Sequence, residues 1–178
     1  MARNRYYDDP SLKSEAKEIG DIYIYEPVIF LSHISEDKKA VKEIGDYILS
    51  LGIDIYLDIK DEGLQDAIKK GNDRLITKYI EKGIKTSTHL LAVVSEDTKK
   101  SWWVPYEIGY GKGRVEDISV LKLKDCLLPS YLNIATIFGS IEELDLYANK
   151  IRNHNLSVSE SLISKLQALV LIEGNILT

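Results

Sequence analysis

The run His89-Leu90-Leu91-Ala92-Val93-Val94 is apolar at every position after its first and stops at Ser95. It falls far short of the roughly 20 apolar residues needed to cross a bilayer, as does every other apolar run in the chain. It also lacks the alternation of a strand with one wet face, so it reads as a strand covered on both sides. Val28-Ile29-Phe30-Leu31, after Pro27, has the same character and ends in Ser32-His33. Ile53 to Asp58, Ile118 to Leu123 and Ile134 to Phe138 supply further strand candidates. Between the strands lie segments of helical spacing. Glu36 to Leu51 carries Val41, Ile44, Ile48 and Leu51 and is closed by Gly52, while Asp73 to Lys85 carries Leu75, Ile76, Tyr79, Ile80 and Ile84. A helix should open between Ser101 and Pro105, because serine caps well and proline fits only in a first turn. It should end in the Gly109 to Gly113 region, and Glu142 to Asn153 reads as a further helix. Ile59 to Asn72 is polar and glycine-punctuated, which predicts a long loop with a short helix around Leu64–Ile68.

Strands alternating with helices imply an α/β fold: a mostly parallel sheet with helices on both faces. At 178 residues the chain fits one domain. That domain is expected over residues 27–153. Residues 1–26 are polar and charged and read as an N-terminal extension, with a short helix from Ser11 to Ile19 opened by Pro10. Residues 154–178 read as a C-terminal helical extension, amphipathic from Ser159 to Ile172 through Leu162, Ile163, Leu166, Leu169 and Val170. In sheets of this kind ligands collect at the carboxyl ends of the strands, where strand order reverses. That rule points to Ser32-His33, to Asp58 through Gly63, and to the stretch from Ser95 to Glu107.

Several function classes recede on composition. A net charge of −5 argues against nucleic acid as the main partner, which needs a concentrated basic surface. Lys38-Lys39, Lys69-Lys70 and Lys99-Lys100 are short and flanked by acids, as on solvated faces. No metal site is expected, since His33, His89 and His154 lie far apart without paired ligand spacing. Gly109-Tyr110-Gly111-Lys112-Gly113 lacks the spacing of a dinucleotide fingerprint and follows a helix instead of joining a strand to one. The single cysteine, Cys126, reads as a packing residue, and one unpaired thiol suits a reducing cytoplasm. The N-terminus shows no apolar signal core, and the chain is expected to be cytoplasmic and not bound to a membrane.

The most informative segment is Ser101-Trp102-Trp103-Val104-Pro105-Tyr106-Glu107. Two adjacent tryptophans cannot face the same side of a helix, so one can enter the core while the other lines a surface. Trp103 and Glu107 are four apart and share a helical face. A carboxylate beside an indole wall suits a sugar or a cationic ring. From spacing alone a second reading stands ahead of it, in which Trp103 packs in the core and Glu107 complements the helix dipole.

Phe30-Leu31-Ser32-His33-Ile34-Ser35-Glu36-Asp37 resembles the first sequence box of TIR domains, an apolar strand followed by serine, an aromatic or histidine, and an acid. Asp58 is similar to the start of the family's BB loop, although the stretch through Gly63 departs from that loop's commonest pattern. Leu90 to Ser95 resembles the third strand, and Ser101 to Glu107 the S-x-W-x-x-x-E pattern. The four boxes keep their order from about Val28 to Tyr147. The resemblance implies a flavodoxin-like fold with a central parallel five-stranded sheet. It also implies cleavage of the nicotinamide–ribose bond of NAD, with Glu107 catalytic and Trp103, His33, Ser32 and Asp58 at the nucleotide site. NAD would be the substrate and no further cofactor would be needed. The product would be ADP-ribose or a cyclised isomer, as in bacterial anti-phage TIR proteins whose product acts on a separate effector. Self-association through TIR–TIR contacts is also implied. Two rivals accompany this reading: a non-catalytic TIR interaction module, and a nucleoside deoxyribosyltransferase-like enzyme on a similar frame.

Overall fold

A computed structural model describes residues 2–5, 16–19, 22–58, 62–124 and 126–154. Near the N-terminus, β1 (Ala16–Ile19) pairs antiparallel with β2 (Ile22–Tyr25), with Ile19 opposite Ile22. This corrects the helix expected from Ser11 to Ile19. The overlooked signal is the Gly-Asp pair in the sequence before the β-prone Ile22-Tyr23-Ile24-Tyr25, a composition common in hairpin turns. Residues 11–15 of that expected helix lie outside the described residues.

The main sheet contains β3 (Val28–Ser32), β4 (Asp54–Tyr56), β5 (His89–Val94), β6 (Asp117–Lys122) and β7 (Thr136–Phe138). Its order is β4-β3-β5-β6-β7, and every neighbouring pair is parallel. Every residue of β3 and β5 is buried, as expected for strands covered on both faces. Alternate side chains feed two cores. Val28, Phe30, Leu90, Ala92 and Val94 enter one, and Ile29, Leu31, Leu91 and Val93 enter the other. Burying one such side chain stabilises the fold by about 1.5–3 kcal/mol. An exposed ion pair such as Lys42–Asp46 is screened by solvent and contributes little beside this, so the two cores hold the sheet in place.

On one face lies α1 (Lys38–Ser50), which buries Val41, Ile44 and Ile48, together with α5 (residues 141–154), which buries Leu144, Tyr147, Ala148 and Ile151. The other face carries α2 (Glu62–Lys69), α3 (Asp73–Lys85) and α4 (Trp103–Gly111). The start of α3 is fixed by Asn72, whose side-chain oxygen accepts from the Leu75 amide at 3.1 Å, a cap worth about 1 kcal/mol. Several elements differ in extent from the sequence reading, among them β4, which spans only Asp54–Tyr56 of the expected Ile53 to Asp58. α2 is longer than the short helix expected around Leu64–Ile68. β7 starts at Thr136 because Ile134 closes a 3-10 turn over Ser130–Ile134 and stays exposed. Cys126 is buried and directs its thiol at the Val94 carbonyl. The expected helix from Ser159 to Ile172 lies outside the described residues. Among the described residues, no helix is long and apolar enough to cross a membrane.

Candidate active site

The first strand of the main sheet, β3, lies between β4 and β5, so the chain steps out to β4 on one side and then crosses back past β3 to β5 on the other. A crevice opens there at the carboxyl ends of the strands, the place where such sheets bind ligands. The end of β3 delivers Ser32, which is 1% exposed, and then His33. Asp58 lies two residues beyond the end of β4.

The remaining wall comes from α4, whose position has three local causes. The Ser101 hydroxyl accepts from the Trp103 and Val104 amides, each at 3.2 Å, and so starts the helix. Pro105 sits in the first turn, where its missing amide costs nothing. Gly111 lets the helix lie against β5, since a Cβ there would come 3.0 Å from Leu90 Cδ1. The Tyr106 hydroxyl then ties α4 to α3 by donating to Glu81 at 2.9 Å.

The buried stripe of α4 is Val104, Glu107, Ile108 and Gly111, so a carboxyl group occupies a core-facing position. Leaving it unpaired would be costly. It is met by Ser32, whose hydroxyl donates to Glu107 Oε2 across 75 residues of sequence. Glu107 is only 7% exposed. Burial pushes its carboxyl up to about 8, the Ser32 hydrogen bond opposes that rise, and the negative charge of Asp58 adds to it. Glu107 is therefore largely protonated at neutral pH in the unliganded protein.

This shift makes stability depend on pH, with a sign opposite to that of a salt-bridged carboxylate. The folded state holds a proton that the unfolded chain loses above the ordinary carboxyl value of 4.5. The stabilising contribution is thus fully present below 4.5 and is lost as pH rises toward about 8. Relative to Glu107→Gln, the wild type should lose up to about 1.4 kcal/mol per pH unit across that window and then level off. Urea unfolding of both proteins from pH 5 to pH 9 measures this; a constant difference between them would contradict the buried neutral carboxyl.

Glu107, Trp103, His33 and Asp58 all line one cleft of about 210 Å³, and Ser32 reaches it through its bond to Glu107. The five residues singled out from the sequence are thus brought together. Trp103 packs partly against the core and meets Tyr106 edge-on, with ring centroids 6.1 Å apart, whereas Trp102 is 90% exposed. The adjacent tryptophans divide between core edge and surface, as their spacing required. His33 Nδ1 lies 3.1 Å from the Leu31 carbonyl oxygen, which only accepts, so Nδ1 carries the hydrogen. In the neutral ring this leaves Nε2 as an acceptor.

The sequence reading missed one wall of the cleft, made by Ile68, Ile76 and Ile80, and the cation Lys38 at its edge. Helical spacing marked Ile76 and Ile80 as core positions, but nothing local showed that α2 and α3 fold over the strand ends. A larger cleft of about 280 Å³ opens at the opposite end, where His89, Glu116, Asp117, Tyr147 and Lys150 meet. It lies at the amino ends of β5 and β6, the end of a parallel sheet that does not host ligand sites, so the smaller cleft is the stronger candidate.

Comparison with known proteins agrees with this fold. The TIR domain family model matches residues 29–157. A protein of Methanobrevibacter olleyae described as probable 2' cyclic ADP-D-ribose synthase TcpO is 39% identical over 80 residues, which is 44% of this chain and 21% of that protein. A protein of Bacillus cereus (strain MSX-D12) described as probable 3' cyclic ADP-D-ribose synthase ThsB' is 27% identical over 93 residues, 52% of this chain and 47% of that protein. The chain therefore spans less than half the length of the curated relatives it matches. Among solved structures, the TIR domain of the Toll-related receptor TRR-2 from Hydra magnipapillata superposes with a TM-score of 0.54 at 17% identity. That superposition covers 71% of this chain and 96% of the receptor domain, a likeness of fold. With the family model matching well over half of its residues, and with the parallel sheet and strand-end cleft described above, the chain belongs to the TIR domain family.

Proposed function

We propose that this chain cleaves the nicotinamide–ribose bond of NAD and that Glu107 is the catalytic residue. The observation that carries the proposal is the placement of a buried carboxyl group, held by Ser32 and flanked by Trp103, at the strand-end cleft. Two relatives described as cyclic ADP-D-ribose synthases support the same substrate.

The chemistry suits these residues. Nicotinamide departs from a cationic ring and takes the electron pair of the C1'–N bond with it, so no strong acid is required at the leaving group. The ribose left behind gains oxocarbenium character, as in glycoside cleavage. A fixed carboxylate beside C1' stabilises that developing charge and holds the ribose hydroxyls. Entry of the cationic ring favours the ionised form of Glu107, so substrate binding and deprotonation reinforce each other. Trp103 offers a stacking face, and Lys38 offers a charge for a phosphate. The attacking oxygen then bonds to C1' and releases its proton. If it comes from water the product is ADP-ribose; if it comes from another hydroxyl of the same molecule the product is cyclic. In this reading the chain works through self-association, and its product acts on a separate effector protein.

The test is nicotinamide release from NAD by the concentrated chain, with mass spectrometry of the product and a nucleoside as control substrate. Nicotinamide release without nucleoside cleavage is expected, and the linear product is heavier than the cyclic one by one water. Rate per mole should rise with protein concentration if neighbouring copies complete the site. Nucleoside cleavage without NAD turnover would point to a deoxyribosyltransferase-like enzyme. Turnover of neither, even at high concentration, would leave an interaction module.

A further inference from the structure

Residues 2–5 lie along the free edge of the main sheet. Asn4 forms a parallel bridge with Ile55, and the Ile55 amide donates to the Arg3 carbonyl at 3.2 Å. Asp54 anchors both sides of this contact. It accepts from the Arg3 amide at 2.8 Å and from the Arg5 guanidinium at 2.5 Å, in a pair whose side chains are 8% and 12% exposed. The segment covers an edge strand that would otherwise present unpaired backbone groups.

Asn4 does more than cover the edge. Its side-chain nitrogen donates to the Leu57 carbonyl at 2.7 Å, and its side-chain oxygen accepts from the Leu57 amide at 3.1 Å. One amide group thus satisfies both backbone groups of the residue immediately before Asp58. β4 has already ended at Tyr56, so among the described residues no sheet neighbour pairs with Leu57 in this way. We propose that residues 2–5 form a strap in which Asn4 is a positioning residue, holding the end of β4 so that Asp58 stays at the cleft beside Glu107.

This inference rests on the reading of the cleft as the active site, but it has its own observable. The titratable and charged groups at the cleft are Glu107 from α4, Asp58 beyond β4, His33 beyond β3, and Glu36 and Lys38 at the start of α1. Of these, Asp58 is the one whose charge raises the Glu107 carboxyl, after burial. If the strap lets go, Asp58 should retreat and the Glu107 titration should move down. Asn4 lies outside both cores, so its truncation should leave the protein folded.

The experiment follows the Glu107 side-chain carbonyl by NMR in chain labelled with 13C-glutamate, titrated in wild type and Asn4→Ala, with Glu107→Gln to assign the signal. Amide exchange at Leu57 and nicotinamide release are measured on the same proteins. The expected result is faster exchange at Leu57, a lower Glu107 midpoint, and a fall of about tenfold in kcat/KM. A Glu107 midpoint and Leu57 exchange rate equal to wild type would overturn the proposal. If wild type releases no nicotinamide, the catalytic reading fails while the NMR titration still decides whether Asn4 positions Asp58. Asn4→Ser, which is too short to bridge both Leu57 groups, should behave like Asn4→Ala.

Discussion

Replacing Glu107 with glutamine is expected to lower nicotinamide release by about a hundred- to thousandfold while leaving the fold intact. Glutamine keeps the size and still accepts from Ser32, but it cannot carry the negative charge that would oppose the developing positive charge on ribose. Loss of one preorganised electrostatic contact of this kind typically costs roughly 3–4 kcal/mol of transition-state stabilisation. The competing reading makes Glu107 a partner of the helix dipole, worth under about 1 kcal/mol and confined to the first turn. Two features of the structure oppose it. Glu107 is the fifth residue of α4, past the first turn, and it lies on the buried stripe with Ser32 on its carboxyl. Because the unliganded carboxyl is largely neutral near pH 7, the glutamine variant should fold at least as well as wild type there. Initial rates with saturating NAD, checked by circular dichroism, give the answer. A folded variant within about threefold of wild type would remove Glu107 from the mechanism.

The second large effect is expected from Gly83→Ala, and its sign runs against intrinsic propensity. Gly83 lies inside α3, where alanine would ordinarily stabilise a helix by about 1 kcal/mol. Here a Cβ would fall 2.4 Å from Tyr56 Cε1 and 2.7 Å from Phe30 Cε2. Neither ring has room to yield: Tyr56 is 3% exposed, Phe30 is 5% exposed, and they stack with centroids 5.7 Å apart. Relieving such contacts by shifting packed rings or backbone costs about 1–3 kcal/mol, and with both rings locked the upper end applies, so the net loss should be about 2 kcal/mol. For a chain of this size that is a fall of several degrees in Tm, at roughly 2–4 °C per kcal/mol. The strain should also reach the site, since Phe30 lines the cleft and Tyr56 precedes Asp58 by two residues. Gly109→Ala is the matching control. Gly109 lies in α4 with nothing within 4 Å of its would-be Cβ, so alanine there should stabilise by about 0.5–1 kcal/mol. Thermal melts of the two variants should move in opposite directions. A Gly83→Ala protein as stable as wild type would mean that the α3 contact with the sheet is looser than described.

Much of this protein follows from local patterns in its chain. The unbroken apolar runs at Val28 and His89 could be satisfied only by strands covered on both faces, and helical spacing in Asp73 to Lys85 matched α3 residue for residue. The i, i+4 spacing of Trp103 and Glu107 puts both on one side of α4, and the strand-end rule points to Ser32, His33 and Asp58 from the sequence alone. Each of these inferences uses interactions within a few residues, which a linear sequence displays directly. What only the tertiary structure decided depends on contacts between distant segments. The Ser32–Glu107 hydrogen bond joins positions 75 apart, and the raised Glu107 carboxyl depends on burial that no spacing reveals. The cleft wall of Ile68, Ile76 and Ile80 exists because two helices fold over the strand ends, although their spacing says only that an apolar face must be covered. At the N-terminus, helical opening signals at Pro10 and Ser11 gave way to a strand at Ala16–Ile19, because a hairpin partner supplies backbone hydrogen bonds that local propensity does not count. The strap at residues 2–5 is ordered by Asp54, Ile55 and Leu57, which are about fifty residues away in sequence and adjacent only in the fold.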